Sequence, residues 1–216
     1  MTRFAALGVD AGSTTVKVVA IDGSAAIIWS ALEPTEPRYQ QQLRRLLDDA
    51  LAAGAGSSGV PKVATGYGRR LVTAADRVVT EISCHAKGVF RRMGHGGTLF
   101  DIGGQDSKVI AIRDSGQVLN FVMNDKCAAG TGRFLEVTAS RLRVPVERMG
   151  ATALSTTHEV RVSNTCTVFA ESEIISLIAQ GEALEPIVRG LHRSLVARIV
   201  SLGRSLRPRP PFIASG

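Results

Sequence analysis

Two stretches of the chain share one order of apolar and polar positions. Residues 9–21 read VDAGSTTVKVVAI, and residues 100–112 read FDIGGQDSKVIAI. Both follow apolar-Asp-x-Gly-x-x-x-x-Lys-Val-apolar-Ala-Ile, 91 positions apart when counted from Asp10 to Asp101. Each copy has an apolar run, a turn of small and polar residues, and a second run rich in β-branched residues, which predicts a β-hairpin. Around the first copy the pattern predicts a third strand over 27–31 and a helix over 38–53 with Leu43, Leu46, Leu47 and Leu51 on one face. GAGSSG at 54–59 reads as a flexible turn, and a short strand over 62–65 leads into TGYGRR. A strand over 78–80 and a helix over 83–93 follow. GHGG at 94–97 then divides a first subdomain, 1–95, from a second, 96–216.

Beyond the second hairpin, RFLEVTASRLRV carries Phe134, Leu135, Val137 and Leu142 at helical spacing. VFAESEIISLIAQG carries Val168, Phe169, Ile174, Ile175 and Ile178, with Gly181 as the candidate C-cap. A cysteine precedes each segment, Cys127 in one case and Cys166 in the other, so each is predicted at the N-terminal edge of a helix. Asn124 and Asp125, and Ser163, Asn164 and Thr165, are the candidate caps ahead of them.

Composition narrows the class. With 216 residues, 44% hydrophobic and 21% charged, the chain has the material for one large or two small globular domains. The N-terminus reaches Asp10 before a signal-peptide core can form, and no apolar run approaches the ~18 residues of a membrane span. The expectation is a cytoplasmic protein with no membrane partner. A net charge of +7 raises a nucleic-acid reading, but six arginines lie between Arg189 and Arg209 and aromatics make up 5% of the chain. No stacking platform is visible. A solvated basic helix, or a patch that steers an acidic protein, fits better.

The matched hairpins carry the candidate chemistry. Ser13, Thr14 and Thr15 offer hydroxyl and amide donors and Lys17 a cation, while Gly103, Gly104 and Gln105 form the equivalent loop. Asp10 and Asp101 end their strands beside these loops, where a carboxylate holds Mg²⁺ through water. Two such loops are expected to clasp a polyphosphate; two plain hairpins are the alternative. No G-x-x-x-x-G-K-[ST] occurs, which excludes a P-loop protein. Three cysteines (Cys84, Cys127 and Cys166) are too few for a disulfide framework. A helix N-terminus stabilises a thiolate and suits an anionic iron–sulfur cluster. Two ligands cannot complete a Cys₄ site, so either a second copy of the chain completes it or the thiols are structural. Cys84 reads as a helix-packing residue, and the four histidines show no ligand spacing.

VDAGSTTVK, ATGYGR, TEISCHAKG, DIGGQDSKVI, MNDKCAAGTGRFLEV and CTVFAESEIISLIAQG occur in this order over nearly the whole chain. Together they resemble the activator components of 2-hydroxyacyl-CoA dehydratases and the ATPase subunits of benzoyl-CoA reductases. The resemblance implies an α/β fold of the actin/Hsp70/sugar-kinase (ribonuclease H-like) ATPase type, with two similar subdomains. It implies phosphate binding by Gly12, Ser13, Thr14, Thr15, Val16 and Lys17 and by Gly103, Gly104 and Gln105, with Asp10, Asp101 and Gln105 as the catalytic set. It further implies a homodimer bridged by one [4Fe-4S] cluster, with Cys127 and Cys166 as ligands from each chain. The implied activity is MgATP-driven transfer of one electron, taken from ferredoxin or flavodoxin, to a dehydratase or reductase component. Family members continue past the equivalent of Gly216 into a Gly-Gly turn and a helix around the adenosine, so the second subdomain is expected to be shortened at its C-terminus. PPFIASG is expected to enter the strand that leads into that turn, and residues 205–216 are a candidate for poor order. Two competing readings remain: a small-molecule kinase of the same fold, and a non-catalytic ATP-dependent interaction module.

Overall fold

The computed structural model describes residues 3–54, 59–163 and 167–216. They divide into two compact units, Met1–Gly88 and Val89–Gly216, so the division falls inside a helix and not at GHGG.

In the first unit, β1 (Ala6–Ala11), β2 (Thr15–Ile21), β3 (Ile27–Pro34), β4 (Lys62–Thr65) and β5 (Arg77–Val78) form one sheet in the order β3-β2-β1-β4-β5. The period-2 alternation of the sequence explains the first three strands. Leu7, Val9 and Ala11 of β1 and Val16, Val18 and Ala20 of β2 are each at most 1% exposed. Helix α1 (Tyr39–Ala53) lays Leu43, Leu46, Leu47 and Ala50 into the same core. It also supplies the crossover that a parallel neighbour needs, and β4 pairs parallel with β1. Arg45 of α1 donates to both carboxylate oxygens of Glu33 on β3, at 2.9 and 2.6 Å. Those bonds hold the Glu33 carboxyl at about 2.

Helix α2 (Glu81–Met93) begins two residues before the predicted start. Thr80, expected in a strand, is instead its cap: Thr80 Oγ1 accepts the Ser83 N–H at 3.3 Å.

The second unit repeats the plan. β6 (Gly97–Ile102), β7 (Ser107–Ile112), β8 (Val118–Asn124) and β9 (Phe212–Ser215) form a sheet in the order β8-β7-β6-β9, with β9 parallel to β6. The correspondence extends to register. Asp10 faces Lys17 across β1 and β2, and Asp101 faces Lys108 across β6 and β7. An irregularity falls between Ala20 and Ile21 in one sheet and between Ala111 and Ile112 in the other, which are equivalent positions. Four helices complete the unit: α3 (Gly132–Leu142), α4 (Val146–Leu154), α5 (Thr167–Ala179) and α6 (Leu184–Gly203). Their core includes Phe134, Met149, Ile174, Ile187, Leu191 and Leu195. Gly181 lies just past α5 at φ 84°, as its C-cap reading requires.

Two elements lie outside the sequence expectations. Asn120 and Asn124 interrupt the apolar residues of β8, and α4 is a nine-residue helix behind Pro145 with Gly150 inside it. The tail carries the strand expected at PPFIASG. Residues 212–215 form β9, and Thr98 Oγ1 exchanges bonds with the Arg209 backbone at 2.8 and 2.9 Å. Among the described residues no helix is long and apolar enough to cross a membrane.

Leu46 is 1% exposed in the α1–sheet core. Leu46→Ala is expected to cost about 2–5 kcal/mol. In urea titration its midpoint should fall while the slope stays that of the parent chain.

Candidate functional site

The first loop is built on the turn between β1 and β2. Lys17 Nζ donates to Asp10 Oδ2 at 3.0 Å in a partly solvated pair. Asp10 Oδ1 is buried and has no hydrogen-bond partner, and the same is true of Thr65 Oγ1 on β4, opposite it in register. A buried carboxylate oxygen left without a donor is costly unless a ligand takes it. It is a hard oxygen donor, and it fits Mg²⁺ or a water of its shell. Gly66 closes the turn after β4 at φ 88°, and an added Cβ would stand 2.7 Å from the Ala11 carbonyl carbon.

Two residues absent from the sequence-level candidates hold this loop. Thr35 Oγ1 and Tyr39 Oη donate to the Gly12 carbonyl at 3.0 and 3.1 Å. Burial, and then the Asp10 charge, push the Tyr39 phenol up to about 12, so it remains a donor. Nothing in the local sequence pattern marks either residue, since the contacts span 23 and 27 positions. Ser13 and Thr14 are exposed and Thr15 is half-buried. Val16 is fully buried in the core, which leaves its main chain alone at the loop.

The second loop has the same frame and a different electrostatic state. Lys108 is 2% exposed, donating to Asp106 Oδ1 at 2.7 Å and lying 3.6 Å from Asp101 Oδ2. Ser215 Oγ donates to Asp101 Oδ1 at 2.9 Å. Both oxygens of Asp101 are therefore engaged, whereas Asp10 keeps one open. Gln105 is exposed at the loop, and Gly103 and Gly104 are half-buried beside it.

Cys127 departs from its predicted place. It is an exposed thiol on the loop between β8 and α3, five residues before the helix, and Asn124 ends β8 instead of capping α3. The first amides of α3 do not serve the thiol. The Gly132 N–H donates to the Gly103 carbonyl and the Arg133 N–H to the Gly104 carbonyl, both at 2.9 Å. An added Cβ on Gly132 would stand 3.3 Å from the Gly103 oxygen and 3.4 Å from Gly104 Cα. Glycine is what lets these two loops approach so closely. Cys84 is half-buried on α2. Cys166 lies outside the described residues. Among the described residues no three His, Cys, Asp or Glu side chains gather to hold a metal. A soft, exposed thiol suits an iron–sulfur ligand, and Cys127 alone cannot complete such a site.

The sequence profile of the BadF/BadG/BcrA/BcrD ATPase family matches residues 7–216. The (R)-2-hydroxyglutaryl-CoA dehydratase activating ATPase of Acidaminococcus fermentans is 40% identical over 198 residues, 91% of this chain and 76% of that protein. The activator of the 2-hydroxyisocaproyl-CoA dehydratase from Clostridium difficile, solved with bound ADPNP, superposes with a TM-score of 0.88. That match has 38% identity and covers 98% of this chain and 80% of the solved one. A putative 2-dehydro-3-deoxygalactonokinase from Sinorhizobium meliloti shares the fold alone, with a TM-score of 0.54 at 12% identity over 97% of this chain and 85% of that one.

The two Asp–Lys pairs occupy equivalent positions at different depths, and this separates their energetics. Lys108→Met leaves the buried Asp101 carboxylate without its cation and is expected to cost about 3–5 kcal/mol. Lys17→Met, at a pair whose side chains are 41% and 29% exposed, should cost about 0–1 kcal/mol. Chemical denaturation of the two variants side by side measures the difference.

Proposed function

The chain belongs to the BadF/BadG/BcrA/BcrD ATPase family, and from that premise we propose that it is an ATP-dependent one-electron donor. It would serve as the activator of a 2-hydroxyacyl-CoA dehydratase or benzoyl-CoA reductase component. One observation carries the reading beyond the family name. Gly103 and Gly104 of the second phosphate loop accept the first amides of α3, the helix that follows the Cys127 loop. A nucleotide loop and an exposed thiol are thereby joined through backbone hydrogen bonds, an arrangement a sugar kinase has no use for.

In this reading the loops Gly12–Lys17 and Gly103–Gln105 bind the phosphates through their amides and hydroxyls. Asp10 supplies the open oxygen toward Mg²⁺. Asp101, held by Lys108 and Ser215, is a second fixed carboxylate, and exposed Gln105 orients the attacking water. Cys127 and Cys166 are the chain's ligands for a [4Fe-4S] cluster, which when bound supplies a one-electron store whose potential follows hydrogen bonding and exposure. Two thiols from one chain leave two ligand positions for a second copy.

Helix α5, which opens just after Cys166, supports the homodimer. Val168, Ile175 and Ile178 lie on its outer side at 70%, 42% and 51% exposure, and Phe169 is 62% exposed. Apolar side chains concentrated on one helix in this way mark a surface that another protein covers. A reduced ferredoxin or flavodoxin in the cytoplasm completes the proposal as the electron source.

Purified without oxygen, the protein is expected to carry about four irons and four sulfides per two chains, with visible absorption. Cys127→Ser should remove the iron and the electron transfer while the chain remains folded by circular dichroism. A colourless, iron-free parent protein that phosphorylates a sugar would overturn the proposal.

A further inference from the structure

The duplicated frame offers an internal control. Ser107 faces Asn124 across β7 and β8, and the equivalent pair in the first unit is Val16 facing Glu33 across β2 and β3. There the valine is core and the carboxylate is bonded to Arg45 and Gln42. In the second unit both members are polar, and both reach the Cys127 loop. Ser107, 1% exposed, donates its hydroxyl to the Gly130 carbonyl. Asn124 Nδ2 donates to the Cys127 carbonyl at 2.8 Å and to the Ala129 carbonyl at 3.0 Å. Thr131 Oγ1 takes the one between, Ala128, at 2.7 Å. Four consecutive carbonyls, 127 to 130, thus each receive a side-chain donor.

Such a loop has few conformations left to it. The Ser107 hydroxyl is buried, so letting the loop go would orphan a polar group as well as free the chain. Ser107 also begins β7 directly after the second phosphate loop, so the strap and the backbone tether from Gly103 and Gly104 meet the same segment.

We infer that Ser107 and Asn124 are positioning residues for Cys127: they strap its loop from paired positions on two strands and fix where the thiol sits. The inference rests on the reading of Cys127 as an iron ligand, and its first test needs no iron. In the metal-free chain, amide hydrogen exchange at Thr131, Gly132 and Arg133 reports the loop, because all three amides are bonded within it or to the phosphate loop. Asn124→Asp replaces the one nitrogen that makes both bonds with an oxygen facing the two carbonyls, and Ser107→Ala deletes the hydroxyl that serves Gly130. Exchange at these amides should rise roughly tenfold in either variant, with thermal melting near that of the parent. In anaerobically reconstituted protein, both variants should also show a shifted reduction midpoint potential in an optical titration.

Exchange within twofold of the parent in both variants overturns the inference. Faster exchange with an unmoved potential overturns it too, because the two residues would then only stabilise the loop. If the parent takes up no iron, the reading of Cys127 as a ligand fails, and exchange alone decides whether the strap holds. Should Ser107→Ala fail to fold, exchange and potential in Asn124→Asp, at a half-buried position, decide between the outcomes.

Discussion

Two backbone hydrogen bonds, from Gly132 and Arg133 to the carbonyls of Gly103 and Gly104, set the organisation of the second unit. A helix N-terminus has unpaired donors, and here the first of them are given to a loop. Such a contact requires close approach, which a side chain at position 132 would oppose. Once made, it fixes where α3 starts, and with it the span between β8 and the helix in which Cys127 sits. The thiol owes its environment to carbonyl-directed side chains, and not to helix amides.

The second constraint is duplication. Both sheets keep the same antiparallel meander, the same Asp–Lys register and the same strand irregularity, and each adds a parallel strand beside the Asp-bearing one. On that common frame the two copies have diverged in electrostatics. The first keeps Lys17 partly solvated and leaves one Asp10 oxygen open; the second buries Lys108 and engages both oxygens of Asp101. One half leaves a carboxylate oxygen without a partner, and the other holds both oxygens of its carboxylate from within.

Much of this was legible in the sequence because the repeat is written in residue order. The hairpins, α1, β4 and the helices after the cysteines follow from periodicity and small-residue turns. β8 was within reach as well. Shifting the predicted strand at 27–31 by the repeat offset lands on 118–122, although Asn120 and Asn124 hide the alternation. What could not be read are contacts between residues far apart in the chain. Tyr39 on Gly12, Ser215 on Asp101 and Ser107 on Gly130 bridge 27, 114 and 23 positions. Helical spacing located α5 but not which of its apolar residues would be core: Ile174 is buried, while Val168 and Phe169 are exposed. Glu171, Ser172, Glu173 and Ser176 fall between the apolar positions of this helix, so no single apolar stripe marks its inner side.

In the proposed homodimer, that same helix ties the folding of the chain to its amount. A face that is wet in one copy and dry in two makes the native state a matter of mass action. Dilution then acts on this protein as a mild denaturant, and a cell that makes more of it also makes each copy more stable.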